Sequence, residues 1–117
     1  MFVGVARFVI QIPAARSLKD RRQVVKSFKE RVRSRLRVSV AEVGDAEAWQ
    51  RATVGVAVVS ESRRRCEEII GQARSIAGSL PEAILADTRS EVLSFGRGGE
   101  ALAGGIEASL GGDLDDE

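Results

Sequence analysis

No histidine and no tyrosine occur in this chain, and cysteine and tryptophan occur once each. Without histidine, a metal site would have to be built from carboxylates and Cys66, and no cluster of these has zinc or EF-hand spacing. Cys66 has no imidazole to deprotonate it, so a small core thiol is expected there rather than a nucleophile. A lone cysteine cannot close an internal disulfide, which fits a reducing cytoplasm. No apolar run approaches the roughly 20 residues that cross a bilayer as a helix, so no membrane partner is expected. The opening "MFVGVARFVIQIP" is apolar, but it lacks a positive leader and a small-residue cleavage site, and it alternates as a strand does. No P-loop or Rossmann glycine pattern occurs. These absences lead to an expectation of a cytoplasmic, non-enzymatic protein with no cofactor and no evident small-molecule ligand.

The rest of the composition is ordinary. Apolar residues make up 44% and charged residues 30% of 117 positions, enough for one domain with a modest core. Phe2 to Pro13 reads as a strand, with Phe2, Ala6, Phe8, Ile10 and Ile12 on one face and Val3, Val5, Arg7, Val9 and Gln11 on the other. Ser17 is placed to cap a helix that runs to Leu36, with Leu18, Val24, Val25, Phe28, Val32 and Leu36 in one stripe. "VSVAEV" (38–43) and "RATVGVAVVS" (51–60) read as strands. Ser60 or Ser62 then caps a second helix, whose stripe is Cys66, Ile69, Ile70, Ala73, Ile76, Ala77 and Leu80, and Pro81 ends it. Ala83 to Phe95 alternates loosely, as a last strand. The order βαββαβ predicts an α+β, ferredoxin-like fold: a four-stranded antiparallel sheet with both helices on one face. The domain is expected over 1–95. Residues 96–117, rich in glycine and ending "GGDLDDE", are expected to form a flexible acidic tail.

Net charge is only +1, but it is unevenly spread. Ten basic residues fall between Arg16 and Arg37, against Asp20 and Glu30. On a helical projection Lys19, Arg22, Lys26, Lys29, Arg33 and Arg37 lie within ~80° of one another. A merely solvated helix interleaves acids with bases at i,i+4. Here the cations repel one another, which points to an anionic partner. The specific signatures of base readout are missing: "RATVGVAVV" carries no aromatic for stacking, and the GXXG match "GRGG" lies in the tail rather than between helices. Any RNA contact is therefore expected to be led by phosphates. The acidic tail (Asp113, Asp115, Asp116, Glu117) is expected to compete for the same stripe.

Other features carry less. Trp49 is expected to cover one end of the core; alternatively Trp49, Gln50 and Arg51 form a contact patch at the hairpin tip. Arg63, Arg64 and Arg65 oppose the dipole of the second helix at its start, with Glu67 and Glu68 placed at i+4 to compensate. An acylphosphatase-like activity would need an anion-cradling loop after the first strand, and "PAARS" offers only Arg16.

"SLKDRRQVVKS" followed by "VSVAEVGDAEAWQRATVGVAVVS" resembles the YlxP-like family of small bacterial proteins, over Phe2 to about Phe95. The resemblance places Ser17, Leu18, Lys19, Arg22, Val25 and Lys26 in the family's helix motif. It places Glu42, Trp49, Gln50 and Arg51 in its hairpin motif. It implies a ferredoxin-like fold, and genes near those for translation initiation and ribosome maturation. It brings no catalytic residues. The expected partner is rRNA or the ribosome, met by Lys19, Arg22, Lys26, Lys29, Arg33 and Arg37, extended by Trp49 and Arg51. The alternative is a protein-interaction module, a homodimer through the open sheet face with Val3, Val5 and Val9 or through two edge strands, whose basic stripe docks an acidic protein. A small-molecule regulatory domain would need a polar pocket that the sequence does not locate.

Overall fold

Alternation sets the first strand. The computed structural model describes residues 1–44 and 48–96, and in it Phe2–Gln11 forms β1. Ala6, Phe8, Ile10 and, just past the strand, Ile12 are buried against the helices. Helix α1 (Leu18–Arg35), strands β2 (Ser39–Gly44) and β3 (Arg51–Ser60), helix α2 (Arg63–Gly78) and strand β4 (Ile84–Ser94) follow. The strands lie in the order β2-β3-β1-β4, and every neighbouring pair is antiparallel. This is the ferredoxin-like plan that the sequence predicts. The expected tail lies, from residue 97 onward, outside the described residues.

Two apolar stripes close the core from one side. Val25, Phe28, Val32 and Leu36 come from the first helix and its cap, and all seven residues of the second predicted stripe are buried. Phe28 meets Phe8 edge to face, with ring centroids 6.0 Å apart at 87°. Cys66 is fully buried, and its thiol donates to the Phe2 carbonyl at 3.8 Å. No described helix is long and apolar enough to cross a membrane.

Glycine sets the approach of α2 to β1. A Cβ on Gly4 would lie 2.9 Å from Ile70 Cδ1, 3.0 Å from Val58 Cγ1 and 3.2 Å from Cys66 Cβ. Gly4→Ala therefore overpacks the contact and is expected to cost about 1–3 kcal/mol. Thermal denaturation checks this; an unchanged midpoint would mean that α2 shifts freely on the sheet.

Some boundaries and faces differ from the sequence reading. The first helix ends at Arg35, because Leu36 turns extended (φ −131°, ψ 145°) while its N–H still donates to Val32 O at 2.8 Å. β2 starts and ends one residue later than predicted. Ser62, not Ser60, caps α2 by accepting from the Arg65 N–H. Val9 lies on the open face of the sheet yet is buried, between its cross-strand partners Thr53 and Asp87 on the inner strand β1. The large apolar side chains that the open face exposes are instead Val43, Val59 and, opposite Gln11, Ile84, at 59%, 63% and 53%.

Candidate nucleic-acid interface

The entry to α1 is pinned reciprocally. The Asp20 N–H donates to Ser17 Oγ at 3.2 Å, and Asp20 Oδ2 accepts from the Arg16 N–H at 2.9 Å. This is a capping box displaced by one residue. Asp20 in the first turn and Arg33 and Arg35 in the last turn suit the helix dipole.

Along the helix, Lys19, Arg22, Lys26 and Arg33 are exposed and Lys29 is half-buried. Arg33 shows which flank they occupy: its guanidinium donates to the Val40 carbonyl of β2 at 3.1 Å. Arg22 donates back to Leu18 O at 3.2 Å. Among the described residues none of these five cations, nor Arg37, forms an ion pair. Lys19 to Arg33 spans about 21 Å of helix. Arg37 departs from the predicted stripe: the helix has ended, and Arg37 stands exposed in the connection to β2. The helical projection did not apply there.

The sequence reading missed Arg21. It sits at i+3 from Leu18 and i−4 from Val25, inside the apolar stripe, and is only 2% exposed. Its Nη2 pairs with Glu42 Oε2, and its Nε donates to Arg51 O at 2.9 Å. Glu42 faces the helices because it pairs with core-facing Val54. One buried guanidinium thus ties the first turns of α1 to β2 and to the start of β3. The Gln50 amide adds a second tie, donating to Pro13 O at 2.9 Å, and the Gln50 carbonyl accepts from the Ile12 N–H at 2.8 Å. The hairpin end at Trp49–Arg51 is therefore fastened to the loop that enters α1, the end where Lys19 and Arg22 stand.

Trp49 does not cover the core. It is 55% exposed and lines an open groove with Gln11, Pro13, Ala48, Gln50 and Arg51. Arg37, at the far end of the helix, is not brought to this patch.

At the other cationic site, the expected compensation is partial. Arg64 and Arg65 both meet Glu68, at 3.5 and 3.3 Å. Arg63 does not pair with Glu67. It lies over the Phe2 ring, 5.4 Å from the centroid, and donates to Val92 O at 3.2 Å.

Residues 3–90 match a family model described as a protein of unknown function, DUF503. The chain is 36% identical over 89 residues to the uncharacterized protein YlxP of Bacillus subtilis, covering 76% of this chain and 97% of that protein. The matched span takes in α1, the hairpin end and both helix caps, and the chain belongs to the DUF503 family of YlxP-like proteins.

Proposed function

We propose that this protein is a non-enzymatic accessory protein that contacts RNA, on the ribosome or its precursor, along the β2-facing flank of α1. The observation that carries the reading is the flank itself: Lys19, Arg22, Lys26, Lys29 and Arg33 share it without an ion pair among the described residues. Cations at such spacing raise one another's free energy, and a phosphate backbone relieves this by releasing its own counterions. Trp49 and Arg51 extend the surface at the end where the hairpin is tied to α1. Recognition is of shape and charge, because β3 offers no aromatic platform for bases.

The test is binding of ribosomal RNA fragments against salt. Five phosphate contacts give a slope of roughly −3.5 to −4.5 in log K against log salt. Between 50 and 200 mM that is a loss of about 100- to 500-fold. A flat dependence, or no binding at the lower salt, would overturn the reading.

A further inference from the structure

The two edges of the sheet are unlike. β2 is six residues long, slips register between Glu42 and Gly44, and has its Val40 carbonyl taken by Arg33. Short, bulged and covered, it is a blunted edge. β4 is eleven residues long and has no proline. Its register shift lies near its start, opposite Val9 and Ile10, so Asp87 to Ser94 runs in unbroken register with β1.

The phase of that ladder is fixed. The Phe95 N–H donates to Met1 O at 2.7 Å, so odd-numbered residues from 87 onward turn their backbone groups toward β1. Thr88, Ser90 and Val92 turn theirs outward. The Val92 carbonyl, reached from outside by Arg63, agrees with this phase. The odd-numbered side chains share the open face with their partners on β1: Asp87 with Val9, Arg89 with Arg7, and Glu91 with Val5. Arg7 and Arg89 are thus like charges directly opposite each other, a destabilising pair. Neither has an ion pair or hydrogen bond among the described residues.

We propose that β4 pairs antiparallel with β4 of a second copy, centred on Ser90, to give one eight-stranded sheet. In that register Ser90 meets Ser90 and Thr88 meets Val92 of the second copy, and the outward backbone groups are exchanged once the Thr88 N–H replaces the exposed Arg63 guanidinium on the Val92 carbonyl. Arg89 faces Glu91 of the second copy, and Glu91 faces its Arg89, so each cation opposed by Arg7 gains a carboxylate on its other side. The alternating signs of Asp87, Arg89 and Glu91 make the edge self-complementary rather than repellent. Centring on Thr88 instead would run the ladder into the register shift; centring on Val92 would leave Arg89 without an acid. The two-fold axis stands perpendicular to the sheet, so all four helices share one face. The two β2 edges then lie about 34 Å apart, with the basic flanks at the outer ends.

Sedimentation of the full chain tests this. The wild type is expected at twice 12.6 kDa in the tens of micromolar range. Arg89→Glu sets two carboxylates against each other across the axis, while placing one opposite Arg7 in its own chain, which favours the monomer's fold. Its dimer dissociation constant is expected to rise at least about tenfold. Arg89→Glu/Glu91→Arg restores the opposed signs and should return the dimer. A monomeric wild type above about 100 μM overturns the proposal. So does a dimer indifferent to Arg89→Glu, which would use another surface. A double variant that stays monomeric overturns the register.

Discussion

Replacing Arg21 with alanine is expected to lower the stability of the fold by about 3–5 kcal/mol, read as a fall in the urea midpoint with the slope unchanged. Arg21 heads the largest fully buried side chains, so its removal leaves a cavity between α1 and β2 as well as a carboxylate without its cation. Glu42 keeps 25% of its side chain exposed, and water there limits the cost of the carboxylate. The Arg51 carbonyl loses its Nε donor in the same step. Against a total of about 5–15 kcal/mol this is a large share, and the variant would be marginal at 37 °C. Arg21→Met/Glu42→Leu removes both charges and refills the space, and should be more stable than Arg21→Ala by at least about 1 kcal/mol. A single-variant loss below about 1 kcal/mol would show that the pair does not hold the helix to the hairpin.

That pair also marks where the sequence stops being legible. The strands and helices declare themselves because their apolar periods, 2 in Phe2–Gln11 and 3.6 in the two helices, coincide with burial. Arg21 was passed over because charge was read as exposure, although it falls in the apolar stripe beside Leu18 and Val25. The matching signal was present. Glu42 is the one acid between Arg31 and Gly44, and strand alternation from Val38 through Val40 puts it on the core side. A buried cation and a half-buried anion, each misplaced on its own element, explain each other only when the two elements are brought together. Arg37 failed in the opposite way. A projection at 100° per residue carries no information on where the helix stops, and Leu36 stops it. Trp49 could not be placed from its own type, since both a core plug and an exposed tip suit an indole. Only the folded chain decides: Gln50 fastens the hairpin end to the Pro13–Ala15 loop, and beside it the Trp49 ring stands 55% exposed. The edge charges of β4 needed the register with β1, since only pairing sets Arg89 opposite Arg7.

Reversing three charges of the flank, Lys26→Glu/Lys29→Glu/Arg33→Glu, is expected to weaken RNA binding at 50 mM salt by roughly 500- to 3,000-fold. The figure follows from counterion release referred to 1 M salt, at 0.7–0.9 counterions for each of three lost phosphate contacts. The slope should fall at the same time, to about −1.4 to −1.8, the share of Lys19 and Arg22. The two readouts separate phosphate contact from damage. A misfolded variant loses affinity at every salt concentration, whereas a variant that has lost phosphate contacts converges with the wild type as salt rises. Arg33 needs its own control, because its guanidinium also holds the Val40 carbonyl of β2 and a carboxylate cannot donate there. Lys26→Glu/Lys29→Glu leaves that bond intact and should give about two-thirds of the change in slope. If neither variant moves affinity or slope, the flank is only the wet side of a helix. The self-repulsion along it would then be a cost that burial of Val25, Phe28 and Val32 outweighs, and the search for a partner would pass to the hairpin end around Trp49.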